Sequence, residues 1–207
     1  MTETLSVTTK PMIYDADTGG HPEIFKFTVR ALEQLGVSAC IIEDKTGLKQ
    51  NSLFGTERTQ TLDDIPAFCE KIKAGREARQ TEEFMVIARI EALISGAGGA
   101  EAIRCAEAYI AAGADAIMIH SGQKTFDESH SFIVTYNKLD KRVPVVAVPS
   151  MYNYVTEDDL FASGITLTPA ALACALTPTT CCARRTLEYN KSMRAFCVLV
   201  PVLTFKT

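Results

Sequence analysis

Tryptophan, long apolar runs, basic clusters and Cys-x-x-Cys pairs are all missing from the 207-residue chain. No apolar run approaches the roughly 20 residues of a membrane-spanning helix, and the first ten residues lack a signal-peptide core, so we expect a cytoplasmic protein without a membrane partner. Scattered Lys and Arg and a net charge of -4 argue against nucleic acid as a partner. The seven cysteines include no Cys-x-x-Cys pair, which predicts free thiols rather than a zinc or redox motif.

The chain does contain a repeated alternation of short apolar runs and helical stretches. The apolar runs predict strands at 12–14, 37–42, 84–90, 116–119, 143–148 and from 165. Helical spacing predicts helices at 22–35, 62–78, 100–112, 129–139 and 156–162, the last capped by Thr156. Apolar strands separated by helices indicate a parallel sheet covered on its faces, which fits either a doubly wound sheet or a (β/α)8 barrel. The absence of a Gly-x-Gly-x-x-Gly turn after the first strand weakens the dinucleotide-binding version.

Three carboxylates follow the first two predicted strands. Asp15 and Asp17 lie two residues apart at the end of the first, and Glu43 ends the second. Three carboxylates without His or Cys partners suit a hard cation, Mg²⁺ in particular. The alternative is that both aspartates cap the following helix and pair with lysines.

Two further polar residues stand at strand ends. Arg89 lies in an otherwise apolar strand and suits a carboxylate or phosphoryl group, although pairing with Glu91 or Glu43 is an alternative that could hold at the same time. His120 ends the next strand and could donate to a phosphoryl oxygen or transfer a proton; otherwise it is a hydrogen-bonded histidine of the rim. In (β/α) barrels the carboxyl ends of the strands carry the active site, so these residues indicate an enzyme.

The polar loop that follows Glu43 is the most unusual segment. Gly47 offers a hinge, and closure could bring Lys49 and Asn51 onto anionic oxygens while excluding water. The alternative is a solvated connection between a strand and a helix.

Taken together, five ordered segments resemble the phosphoenolpyruvate mutase and phosphonopyruvate hydrolase branch of the isocitrate lyase superfamily. They are Asp15-Ala16-Asp17-Thr18-Gly19, Ile42-Glu43-Asp44-Lys45, Lys49-Gln50-Asn51-Ser52-Leu53, Ala88-Arg89-Ile90-Glu91-Ala92 and residues 113–121. The resemblance implies an α/β fold of the (β/α)8 TIM-barrel type. It also implies an enzyme that interconverts phosphoenolpyruvate and phosphonopyruvate with Mg²⁺, making or breaking a carbon–phosphorus bond.

The resemblance also implies roles for individual residues. Asp15 would lie nearest the metal, with Asp17 and Glu43 holding its waters. The catalytic residues would be Lys49, Asn51, Arg89 and His120, and the substrate contacts Asn51, Ser52, Leu53, Arg89 and His120. Members of the family are typically oligomers, so we expect a homo-oligomer, a tetramer or a dimer.

The loop favours one relative over the others. Phosphonopyruvate hydrolases tend to carry threonine where this chain has Asn51, which favours a mutase. Carbon–carbon lyases of the superfamily carry a catalytic cysteine in this loop, and residues 45–52 contain none. Hydrolase and lyase activity remain the alternatives.

The likeness does not extend over the whole family pattern. The family's first two barrel strands have no counterpart before Asp15, and the likeness stops near Thr166. We therefore expect one partial barrel domain over residues 1–207, incomplete at the N-terminus and with an atypical segment at 167–207. An alternative of another class is a truncated, catalytically inactive relative that acts as a subunit or binding partner.

Overall fold

The computed structural model describes residues 11–46, 61–149, 151–152, 154–168 and 197–199. Over these ranges, parallel strands alternate with helices along the chain. The strands are β1 (Met12–Asp15), β2 (Ala39–Glu43), β3 (Met85–Ile90), β4 (Ala116–Ile119), β5 (Val145–Ala147) and β6 (Cys197–Leu199). The helices are α1 (Pro22–Gln34), α2 (Ile65–Ala78), α3 (Gly99–Ala112), α4 (Asp127–Tyr136) and α5 (Glu157–Ser163).

The predicted elements are found, with ends displaced by a few residues. Helix α2 begins at Ile65 rather than Leu62, because Leu62 forms an antiparallel bridge with Lys45 and Pro66 then occupies the first turn. The run from Ile165 contributes an isolated parallel bridge between Leu167 and Val146, not a named strand. Thr156 caps α5 as predicted, since its hydroxyl accepts the backbone N–H of Asp159 at 3.2 Å.

The strands form one curled parallel sheet in the order β5-β4-β3-β2-β1-β6, with helices on its outer side. Neighbouring strands are held in register, so that Asp15 lies opposite Ile41 and Glu43 lies opposite Arg89. Of the two folds that the alternation of elements allowed, the structure shows the barrel type, as a half-barrel.

Side chains alternate between the two faces of the sheet. The outer face packs against the helices and carries most of the core. The inner face has a second apolar layer that includes Ile13, Ile41, Ile87, Met118 and Val146. On the same inner face, the residue two positions after Ile13, Ile41, Ile87 and Met118 is polar in each case. These four polar residues are Asp15, Glu43, Arg89 and His120.

Two glycines show how closely the helices pack. Gly113 ends α3 with a φ of 101°, a left-handed conformation that favours glycine. Gly75 in α2 lies so near α1 that an added Cβ would be 2.3 Å from Phe25 Cε1.

Cys40 and Cys105 are buried free thiols, which agrees with the prediction of free thiols from the sequence. Among the described helices, none is long and apolar enough to span a bilayer.

Candidate active site

The carboxyl ends of β1 to β4 bring four of the predicted site residues together. Asp15 and Glu43 are the last residues of β1 and β2, Arg89 is the penultimate residue of β3, and His120 directly follows β4. Because all four lie on the inner face at one level of the sheet, they form one rim. The predicted loop residues Lys49, Asn51, Ser52 and Leu53 lie outside the described residues.

Arg89 is the centre of this rim. Its Nη2 lies 3.4 Å from Glu43 Oε2 and 2.8 Å from His120 Nδ1, and its Nη1 lies 3.9 Å from Asp15 Oδ2. Its Nε donates to the carboxylate of Glu91. The ion pairs that the sequence raised as an alternative are therefore present, and the guanidinium is still 11% exposed at the rim.

Glu91 and Lys45 belong to the same group, although the sequence raised Glu91 only as a partner of Arg89 and did not single out Lys45. Glu91 is fully buried, and its Oε1 lies 2.9 Å from His120 Nδ1. Lys45 Nζ lies 3.5 Å from Glu91 Oε2 and 3.2 Å from Glu43 Oε1. The available signal was the spacing of Arg89 and Glu91, since two charged residues at period two in an apolar strand share one face.

The turn after β1 joins Asp15 to the end of β2. The backbone N–H of Asp17 donates to Asp15 Oδ1 at 2.9 Å, and Asp17 has a left-handed φ of 58°. The Asp17 carbonyl in turn accepts the N–H of Glu43 at 2.7 Å. Helix capping by the two aspartates, one alternative from the sequence, is wrong, because His21 occupies the N-cap of α1.

Burial and neighbouring charges raise the pKa of one rim residue, Glu43, and lower the pKa values of two others, Glu91 and His120. Burial raises the pKa of Glu43 to about 7, against the opposing charge of Arg89. Burial also opposes ionisation of Glu91, but the hydrogen bond from His120 and the charge of Arg89 hold its pKa well below the usual range. Burial, followed by the charge of Arg89, lowers the pKa of His120, so its imidazole is neutral near pH 7.

Asp44 lies on the outer, helix-covered side of the sheet, where its carboxylate bonds to the backbone of the rim residue Glu91. Its Oδ1 accepts the backbone N–H of Glu91 at 2.8 Å, and its Oδ2 accepts the hydroxyl of Tyr109 at 2.7 Å. Burial raises the pKa of Asp44 to about 6. Neither Asp44 nor Tyr109 stands out in the sequence, because the two residues meet only in the folded chain.

The donor chemistry of the rim fits a hard cation. Asp15, Asp17 and Glu43 offer carboxylate oxygens, the ligands that Mg²⁺ prefers. With Glu91 included, the carboxylates outnumber the cations Lys45 and Arg89, so the rim has an excess of negative charge that a bound cation would offset. Within the described residues, however, no three Asp, Glu, His or Cys side chains are close enough to hold a metal ion as they stand.

A parallel half-barrel whose strand ends carry this cluster of charges is the architecture of a barrel enzyme. The chain belongs to the phosphoenolpyruvate phosphomutase family, whose model matches residues 1–181. It is 46% identical over 153 residues to a phosphonopyruvate hydrolase of Variovorax sp., covering 73% of this chain and 51% of that protein. It is 40% identical over 158 residues to a phosphoenolpyruvate phosphomutase of Tetrahymena pyriformis, covering 76% of this chain and 51% of that protein.

Solved structures agree with this assignment. A phosphoenolpyruvate phosphomutase of Streptomyces platensis subsp. rosaceus has a TM-score of 0.75 at 38% identity, covering 81% of this chain and 57% of that chain. A phosphonopyruvate hydrolase in complex with oxalate and Mg²⁺ has a TM-score of 0.72 at 38% identity, covering 91% of this chain and 64% of that chain. The chain spans about half the length of the curated relatives it matches.

The predicted family and the barrel-type fold are thus confirmed. The matched relatives are enzymes, which does not favour a catalytically inactive relative. Mutases and a hydrolase both occur among these relatives, so the matches are consistent with either activity.

Proposed function

We propose that the protein is a Mg²⁺-dependent enzyme that interconverts phosphoenolpyruvate and phosphonopyruvate. The observation that carries the proposal is the pair Arg89 and His120, held 2.8 Å apart at a rim of carboxylates. A cation and a neutral imidazole placed side by side can bind the oxygens of a small substrate that carries both a carboxylate and a phosphoryl group.

Arg89 and His120 have different tasks in this proposal. Ion pairs with Glu43 and Glu91 fix the guanidinium of Arg89, whose positive charge can attract an anionic oxygen of the substrate. Nδ1 of His120 lies between Arg89 and Glu91, so its Nε2 is the nitrogen that can contact a substrate oxygen. The substrate is thereby oriented before its carbon–phosphorus or oxygen–phosphorus bond breaks.

Asp15, Asp17 and Glu43 are the residues proposed to hold Mg²⁺, with Asp15 nearest the ion and the other two acting through water. When bound, the ion supplies positive charge that stabilises a pyruvate enolate and a transferring phosphoryl group. The solved hydrolase with oxalate and Mg²⁺ supports this proposal for a chain of the same family.

The loop residues complete the proposed site. Lys49 and Asn51 would contact the phosphoryl group, together with Ser52 and Leu53, when the loop covers the substrate. Asn51 favours a mutase over a hydrolase. Hydrolysis of phosphonopyruvate is the second candidate, supported by the 46% identity to the Variovorax hydrolase; carbon–carbon cleavage is a more distant one.

Phosphorus NMR of phosphonopyruvate with the protein and Mg²⁺ tests the proposal. Phosphoenolpyruvate is expected as the product, whereas free phosphate would identify a hydrolase and an unchanged spectrum would contradict both. Arg89→Lys is expected to lower turnover by about 100-fold, because lysine cannot form the same fixed contacts. Arg104→Lys, on the exposed surface of α3, is the matched control and should leave turnover unchanged.

Two further features of the protein are proposed from its sequence. A cytoplasmic location fits its free thiols, and a homo-oligomer, a tetramer or a dimer, fits its family. Sedimentation of the purified protein would test the second of these, and a monomer at micromolar concentration would contradict it.

A further inference from the structure

We propose that Tyr109, on the outer helix α3, is a positioning residue for Arg89 and His120 that acts through Asp44 and Glu91. The kinetic part of this inference rests on the proposed function, while its structural part does not. Tyr109 lies outside the rim, and the contacts that connect it to the rim run through the sheet.

The first contact joins helix α3 to the end of β2. The Tyr109 hydroxyl donates to Asp44 Oδ2 at 2.7 Å. Burial and the negative charge of Asp44 raise the pKa of Tyr109, so the hydroxyl keeps its proton and stays a donor. The ring itself is fully buried and packs against Phe68 with 4.7 Å between ring centroids, which fixes the position of the hydroxyl.

The second contact joins Asp44 to the end of β3. The strand pairing of β2 with β3 ends at Glu43 and Arg89, and Asp44, the next residue, still bonds to the end of β3. Its N–H donates to the Arg89 carbonyl at 3.2 Å, and its Oδ1 accepts the N–H of Glu91 at 2.8 Å. The orientation of the Asp44 carboxylate therefore determines where the backbone of Glu91 lies.

The third contact transmits this position to the rim. The buried carboxylate of Glu91 accepts from Arg89 Nε, and its Oε1 lies 2.9 Å from His120 Nδ1. A displaced Glu91 would turn both side chains away from the substrate, and a displacement of about 1 Å can cost about 100-fold in rate.

Hydrogen bonds rather than packing hold Asp44 in place. A pocket of about 390 Å³ lies between the start of α2 and helix α3, and Asp44, Cys105 and Tyr109 are among its lining residues. Removal of the Tyr109 hydroxyl takes away one of the hydrogen bonds that orient the Asp44 carboxylate, which can then rotate on the side of the pocket.

Tyr109→Phe tests the inference, and Tyr136→Phe is its matched control. Tyr136 is also a buried helical tyrosine, and its hydroxyl bonds the backbone of Val143 at 2.8 and 2.9 Å, away from the rim. Each variant loses one buried hydroxyl, so both should lower Tm. The side-chain NMR signals of Arg89 Nε–H and the His120 ring, recorded on ¹⁵N-labelled protein, should shift only in Tyr109→Phe.

The kinetic readout follows in the same two variants. Tyr109→Phe should lower kcat/KM by about 10- to 100-fold, while Tyr136→Phe should stay within about twofold of the unchanged protein. Unshifted Arg89 and His120 signals in Tyr109→Phe, or equal shifts in both variants, would overturn the inference. Because the NMR signals need no substrate, failure of the proposed function would not be mistaken for failure of the positioning role.

Asp44→Asn and Asp44→Ala provide the second test if Tyr109→Phe does not fold. Asparagine keeps an oxygen that can accept the N–H of Glu91, whereas alanine keeps none. The Arg89 and His120 signals should be retained in Asp44→Asn and displaced in Asp44→Ala. Equal spectra for the two variants would contradict the route through Asp44.

Discussion

Arg89 and Glu91 leave the same strand on the same face, and the guanidinium of Arg89 donates through Nε to the carboxylate of Glu91. The carboxylate is fully buried, yet it also lies within 3.5 Å of Lys45 Nζ. One buried anion therefore contacts both cations of the rim, which Glu43 also pairs with, and His120 lies beside them.

Glu91→Ala should destabilise the protein strongly. Removing the buried carboxylate deprives Arg89 and Lys45 of one of their charge partners, so the free energy of unfolding should fall by about 3 kcal/mol. Urea unfolding followed by circular dichroism measures this loss. The control is Glu101→Ala, which breaks the surface pair with Arg104 and should cost less than about 1 kcal/mol. Equal losses in the two variants would show that Glu91 does not balance the buried cations.

Mg²⁺ should stabilise the protein through Asp15. At about 100 times its Kd, a ligand that binds only the folded state adds about 2.7 kcal/mol, which is visible as a rise in Tm that EDTA reverses. Asp15→Asn should remove most of that rise. Asp158→Asn, which alters an exposed aspartate in the first turn of α5, should leave the rise intact. A rise of the same size in both variants would disprove the metal assignment.

Stability without metal should fall as pH rises, and Glu43 should be one cause. The pKa of Glu43 is about 7 in the folded state against an ordinary 4.5, so the folded state binds more protons between these values. Stability from this residue is present below pH 4.5 and lost as pH rises through 7, by about 3 kcal/mol. Glu43→Gln should flatten this part of the curve in EDTA.

The control for that experiment is Glu107→Gln, since Glu107 lies on the exposed face of α3. Its pH–stability curve should superimpose on that of the unchanged protein. If Glu43→Gln keeps the original slope between pH 4.5 and 7, the carboxyl of Glu43 titrates normally and the rim is more solvated than its burial indicates.

Gly75→Ala tests the packing of α1 against α2. The added Cβ would lie 2.3 Å from Phe25 Cε1, so the ring must move and stability should fall by about 1–3 kcal/mol. Gly99→Ala is the control at the start of α3, where nothing lies within 4 Å of the added atom. It should be neutral or stabilise by up to about 1 kcal/mol. A neutral Gly75→Ala would mean that the two helices pack less closely.

The sequence predicted those features that depend on neighbouring residues. Thr156 and Asp159 lie three residues apart, and their cap follows from helix geometry alone. The rim residues Asp15, Glu43 and Arg89 were also predictable, because a parallel sheet gathers its carboxyl ends at one edge. Local spacing and sheet topology were enough for both.

Contacts between distant residues could not be predicted in this way. Asp44 and Tyr109 are 65 residues apart, and their hydrogen bond forms only once α3 packs on the sheet. Lys45 likewise resembles an ordinary loop lysine in the sequence, and its contact with Glu91 depends on the folded sheet. The interpretation of Asp15 and Asp17 as helix caps was wrong, since the left-handed turn at Asp17 places its carbonyl on the N–H of Glu43, and His21 takes the N-cap.

The register that sets Glu43 opposite Arg89 also sets which side chains fill the inner apolar layer. A slip of one residue in β3 would send Arg89 outward among the helices and bring Ala88 to the rim. The same register error would therefore disrupt both the inner apolar layer and the rim that carries Arg89. Because exposed apolar surface favours aggregation, a chain with this register error should be insoluble as well as inactive.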